Sequence, residues 1–323
     1  REAATTVNNG NNNYGIDQWY GRGEGSKAVF TVTQTAHGSL LAYGVRYCAK
    51  VAVTTNATTV SGDVYKIAQR IEGADCVRLA LGTASAKSFT LSFLVRSSVT
   101  GTHSGSFMNS AQDRSYPFTY TISAADTWEA KEITIAGDTS GTWLVSNGIG
   151  LELNFDLGSD ANKRAAAGSW HAQRAEGATG AVQLTETSNA TWEITKVQLE
   201  EGSSGTDFEH RSFSEELARC ERYFQMFGDA GGNTSFLMPF AVHTSTAGMG
   251  APVFKCEMRS GPTLTATSCI GLTNGNGSAG NPDVATDYVR KNSLRLKLTN
   301  MTSLVQGDVF ILQGGYITLS AEL

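Results

Sequence analysis

The sequence predicts an all-β protein: a jelly-roll β-sandwich, a short connecting α-helix, and a smaller C-terminal β-sandwich. Three observations lead there. Apolar and polar residues alternate in many short runs, the period of a half-buried strand. Gly, Asn, Ser and Thr fill the gaps, where turns need positive φ or local side-chain bonds to the backbone. Charged residues make up only 17% of the 323 residues while 40% are hydrophobic. Ser, Thr, Asn and Gly must therefore supply the polar surface, which suits twisted sheets joined by tight turns.

The elements follow in order. Residues 28–34 alternate, and so does the longer stretch 41–53. In 88–96, Phe89, Leu91, Phe93 and Val95 share one face. Leu151, Leu153 and Phe155 do the same in 149–155, and Trp192, Ile194 and Val197 face inward in 191–199, with a bulge after Ile194. These runs predict a core of Phe89, Leu91, Phe93, Leu151, Leu153, Phe155, Trp192 and Ile194. Residues 212–224 break the pattern: Phe213, Leu217, Cys220 and Phe224 form a helical stripe, and Ser212 with Glu215 fits a capping box. Strands resume in 235–242, 253–258, 263–267, 293–298 and 309–319, around a Gly- and Asn-rich loop at 272–283. The expected domains are 1–208 (jelly roll), 209–227 (connecting helix) and 228–323 (second sandwich).

Net charge is −5, and no Lys/Arg cluster of useful length occurs. No nucleic-acid partner and no polybasic membrane patch are therefore expected. Apolar runs stay short of the roughly 18 residues a membrane helix needs, so no membrane insertion is expected. The five cysteines are scattered with no C-x-x-C pair, which predicts small buried thiols and folding in a reducing cytoplasm. The start, Arg1-Glu2-Ala3-Ala4-Thr5, lacks Met and an apolar signal core, and reads as a fragment or a processed product.

One stretch resembles a known family. Val197-Gln198-Leu199-Glu200-Glu201-Gly202, then Thr206-Asp207-Phe208-Glu209-His210-Arg211-Ser212-Phe213, then 215–224 (EELARCERYF) resemble the VQLE-to-RYF signature of bacteriophage tail fibre and related virion proteins. Ile16-Asp17-Gln18-Trp19, the run 63–72 (DVYKIAQRIE) and the run 88–98 are similar to further elements of that family, in the same order. The resemblance covers about residues 17 to 224 and implies a carbohydrate-binding-module-like jelly roll in the virion tail fibre, made in the host bacterial cytoplasm. It implies a further strand before Arg1. It also implies a homotrimer, for which Phe213, Leu217, Cys220 and Phe224 are the expected oligomer interface. Other virion tail proteins and a host cell-surface glycan or protein are the expected partners. Alternatives are a carbohydrate-binding module of a secreted glycan-degrading enzyme, or a head or collar decoration protein.

No enzyme is expected. No G-x-S-x-G occurs; Gly101-Thr102-His103-Ser104-Gly105 has the wrong spacing, and the five histidines are isolated. Gly21-Arg22-Gly23-Glu24-Gly25-Ser26-Lys27 is Gly-rich but is not a phosphate-binding loop. Glu152 and Asp156 share a strand face with Asn154 and are the carboxylates to consider for glycoside hydrolysis; alternation predicts an exposed polar face for them. No cofactor is expected beyond a structural calcium, for which Asp156, Asp160 and Asn162 are the candidate ligands. Ligand binding falls to the polar loop 165–174, with Trp170, His171, Gln173 and Arg174 as contact residues, because an indole covers the apolar face of a pyranose beside hydrogen-bonding groups. Loops 165–174 and 272–283 are the expected recognition surfaces.

Overall fold

The computed structural model describes residues 5–8, 10–25, 27–228, 236–273, 277–278, 282–302 and 304–323. The chain divides into two compact units, residues 1–210 with Leu323, and residues 211–322.

In the first unit the strands run β1 (Thr5–Val7), β2 (Asn13–Ile16), β3 (Trp19–Glu24), β4 (Val29–Ala36), β5 (Tyr47–Thr55), β6 (Val64–Glu72), β7 (Phe89–Ser97), β8 (Gly101–Met108), β9 (Ser115–Ile122), β10 (Glu129–Ile135), β11 (Ile149–Ser159), β12 (Arg164–Ala165), β13 (Gly177–Ala178) and β14 (Thr191–Glu201). Two six-stranded sheets result, β1-β4-β5-β14-β7-β10 and β2-β3-β6-β11-β8-β9. Every pairing within them is antiparallel. The chain passes repeatedly from one sheet to the other, as from β6 to β7 to β8, and this weaving makes the sandwich a jelly roll.

The alternation read from the sequence decides what lies between the sheets. Phe89, Leu91, Phe93, Leu151, Leu153, Phe155, Trp192 and Ile194 are all buried in one core. Phe155 is its hub, with ring centroids 5.2 Å from Phe93, 5.9 Å from Phe118, 6.1 Å from Tyr120 and 5.0 Å from Trp192. The bulge in β14 is present: its register against β7 slips between Thr195 and Gln198, and Lys196 sits at φ 53°. That extra residue brings Val197 back to the core side, against which it packs half-buried.

Among the described residues, the second unit holds a three-stranded and a seven-stranded sheet with their own core, which includes Met258, Phe240, Leu296, Phe310, Leu312 and Ile317. Its helix spans Phe213–Glu221 and carries the full capping box, with Ser212 and Glu215 exchanging hydrogen bonds. The helix is shorter than the periodic stripe predicted. Phe224 begins a strand, Phe224–Gly228, whose backbone pairs with Tyr316–Ser320. A ladder to a segment almost a hundred residues away overrides the local period. Residues 253–258, read as a strand, form an irregular stretch instead. Part of the 272–283 loop lies outside the described residues. Its described portion pairs Leu272 with Ser278 and Thr273 with Gly277. All five cysteines are free thiols. No helix among the described residues is long and apolar enough to cross a membrane.

Candidate functional site

The outer face of the second sheet carries the chemistry-bearing side chains. Alternation along β11 sends Leu151, Leu153 and Phe155 inward, so Glu152, Asn154 and Asp156 point the other way. Pairing with β6 sets Arg70 beside Glu152 and Lys66 beside Asp156, and pairing with β8 sets Ser106 beside Asn154. This face is not solvated, contrary to what alternation alone predicts. The segment from β12 to residue 186 lies across it. Gly177 sits so close that a Cβ there would fall 2.2 Å from Asp156 Oδ2 and 2.6 Å from Ser104 Oγ. Glu152 and Asp156 are each only 2% exposed.

Burial of so many charges is tolerated because each has a partner. Lys66 Nζ lies 2.7 Å from Glu152 Oε1 and 3.0 Å from Glu176 Oε2, and Arg70 Nε lies 2.9 Å from Glu152 Oε2. Arg164 meets Asp156 at 2.8 Å, and Arg174 reaches Glu24 at 2.9 Å while also pairing with Glu176. Burial pushes the Glu152 carboxyl up, but Lys66 and Arg70 outweigh it and hold the group down to about 2. Burial pushes Asp156 up, against the pull of Arg164. A carboxylate locked between two cations under a covering segment is a poor proton donor. The arrangement suits a structural role for Glu152.

The predicted contact loop lies at the opposite edge from β2, where β9 ends the second sheet. His171 forms a bridge with Ser115, and its ring Nε2 lies 2.8 Å from the Ala166 carbonyl. The Gln173 carbonyl accepts from Ser115 Oγ at 2.7 Å while its residue stays exposed. Arg174 turns away into the ion network already described. Trp170 is half-buried, and its indole N–H donates to the Ala136 carbonyl at 2.6 Å. The four residues therefore do not converge on one ligand.

Sequence reasoning missed the partners of Trp170. Its ring meets Tyr116 at 5.2 Å and 63°, and Trp143 at 5.3 Å and 83°. Trp143 is also half-buried, with its indole N–H donating to the Ser140 carbonyl at 3.0 Å. The loop carrying it is clamped. Arg114 Nε and Nη2 bind the two oxygens of Asp138, each at 2.7 Å, which raises the Arg114 pKa further. Ser140 N–H donates to Asp138 Oδ1 at 3.0 Å, and Asn109 Nδ2 donates to the Thr142 carbonyl at 3.1 Å. Arg114 immediately precedes β9, in which Tyr116 lies, and it packs so closely on the Trp143 loop that a Cβ at Gly141 would fall 2.5 Å from Arg114 Cγ. Tyr116, Trp143 and Trp170 thus form an aromatic corner flanked by a charge pair, beside β9, the edge strand of the second sheet.

No protein-family model matches the chain, and no curated protein matches it in sequence. Similarity to solved structures is low. One is a family 11 carbohydrate-binding module from Clostridium thermocellum in complex with a β-1,3-1,4-mixed-linked tetrasaccharide, at 13% identity and TM-score 0.33, covering 62% of this chain and 95% of that one. A CBM4 structure is similar at 14% identity and TM-score 0.30, covering 62% and 86%. The enzymatically active domain of bacteriophage CBA120 tailspike protein 4 is similar at 11% identity and TM-score 0.31, covering 58% of this chain and 20% of that one. The all-β architecture itself rests on the chain's own strand order.

The calcium candidates do not converge either. Asp156 faces Arg164 under the covering segment. Asp160 caps a short turn, with one oxygen accepting from the Asn162 backbone at 3.2 Å and the other from Gly62 N–H at 2.8 Å. Among the described residues no group of three or more His, Cys, Asp or Glu is placed to hold a metal ion.

Proposed function

We propose that the protein is a non-catalytic, glycan-binding part of a phage tail fibre, a virion component that displays an aromatic edge to the host cell surface. The observation that carries this reading is the corner of Tyr116, Trp143 and Trp170. Trp143 and Trp170, each half-buried on a loop beside the buried Tyr116, keep part of their indole surface at the edge of the sandwich, where it can cover a ligand with apolar faces. A pyranose ring is such a ligand. The ion-paired, covered state of Glu152 and Asp156 supports the non-catalytic part. The resemblance of residues 197–224 to tail-fibre proteins supports the virion part.

The same resemblance motivates a homotrimer, contacting other virion tail proteins. Phe213 is 82% exposed and Leu217 44% exposed in the single chain, an apolar stripe that further copies of the helix would cover. Light scattering tests this: a trimer is expected for wild type and dissociation for Leu217→Asp, and a wild-type monomer would reject it.

The glycan reading is tested by screening purified protein against bacterial surface polysaccharides and following reducing-end release in parallel. Binding that weakens in Trp143→Ala, without release of sugar, is expected. Released sugar would instead favour a module of a glycan-degrading enzyme or an enzyme in its own right.

A further inference from the structure

We propose that the aromatic corner accepts one neutral pyranose residue at a time rather than an extended stretch of polysaccharide. This rests on the glycan-binding reading above and narrows it. Stacking along a chain needs aromatic planes that are roughly coplanar and spread out, so that successive sugars each lie on a ring. Here the two indoles stand at 83° with centroids 5.3 Å apart. The edge of one ring covers part of the other's face. The third ring, Tyr116, is tilted 63° from Trp170 and only 7% exposed. A ligand therefore finds one indole face and a perpendicular wall, which fits the face and rim of a single ring.

The polar groups set the charge preference. Both indole N–H groups are used by backbone carbonyls, so the indoles offer surface and no donors. The Arg114 guanidinium binds Asp138 through one N–H each of Nε and Nη2, two of its five donors. Asp113 lies beside this pair, accepting from Asn109 Nδ2 at 2.6 Å. One cation against two anions gives the corner a slight negative balance, and the chain as a whole carries −5. A uronic or sialic acid would meet repulsion, whereas for a neutral sugar Arg114 and the exposed Ser140, Thr142 and Ser169, which neighbour the two indoles in sequence, are the nearest polar side chains that could pair with hydroxyls.

The test is calorimetric or NMR titration of the full chain with methyl glycosides of glucose, galactose, mannose and N-acetylglucosamine, with their linear oligomers up to six residues, and with the matching uronic acids. A methyl glycoside is expected to bind within about threefold of its oligomer per sugar residue, with the uronate weaker at low salt. Trp143→Ala should lose about tenfold, and Trp143→Tyr should recover part of it. Affinity that climbs about tenfold with each added residue, or a uronate that binds best, would overturn the single-residue proposal and leave glycan binding standing. No binding by any sugar would overturn both.

Discussion

The two faces of the second sheet reach equal burial by opposite physics. On the inner side Leu151, Leu153 and Phe155 meet other hydrocarbon and aromatic groups; on the outer side Glu152, Asn154 and Asp156 meet Lys66, Arg70, Arg164 and Ser106. The inner face gains from removing apolar surface from water, a non-directional term that tolerates small shifts. The outer face must pair each charge, and it depends on the segment from residue 164 to 186 staying in place. One face is thus robust to geometry and sensitive to volume; the other is robust to volume and sensitive to any missing partner.

Three measurements test this difference between the faces. Phe155→Ala should destabilise the first unit most, by about 3–5 kcal/mol, because it removes the ring at the hub of the core. A loss under about 1 kcal/mol in chemical denaturation would show that the inner face does not carry the fold. Next, Lys66→Met should cost about 3 kcal/mol, since it leaves Glu152 and Glu176 buried with one cation fewer. Adding Glu176→Leu to Lys66→Met should return part of that loss; a further fall would mean that the pair is worth more than an apolar contact of similar size.

The smallest effect is the acid response. Glu152 is depressed in the folded state, so its ion pairs contribute stability that is fully present above the ordinary glutamate range. That stability is lost as pH falls through about 4 and down to about 2. Asp156 is raised, so its contribution has the opposite sign in acid and offsets part of the loss. A net loss of about 1–2 kcal/mol is expected over that window. Glu152→Gln should flatten the curve of denaturation midpoint against pH between those limits, and an unchanged slope would remove Glu152 from the account.

Much of the fold was legible because its signals are local. The alternation in β7, β11 and β14 fixes which side chains face inward whatever the strands pair with. The odd step from Ile194 to Val197 announces the bulge, and Ser212 with Glu215 announces the helix start. The features that were missed all depend on distant partners. Phe224 satisfies a helical period, yet it joins a strand because Tyr316–Ser320 is there to pair with it. Glu152 and Asp156 look solvated until the later segment is seen lying over them. Trp170 was visible as an aromatic in a polar loop, but its phrase says nothing of Tyr116 or Trp143, and Arg174 gave no sign that Glu24 would claim it.

Strand β14 has a consequence for how the chain is made. It sits in the middle of the first sheet, between β5 and β7, although it is the last strand of that sheet to be synthesised. Until residue 201 has left the ribosome, β5 and β7 each show an unpaired edge where their shared neighbour belongs. The nascent chain therefore holds about two hundred residues of unfinished sandwich before the sheet can close, a slow, high-contact-order route. A premature stop between β10 and β14 would leave two half-sheets, β1-β4-β5 and β7-β10, with open edges, a product destined for aggregation or proteolysis rather than a smaller working domain.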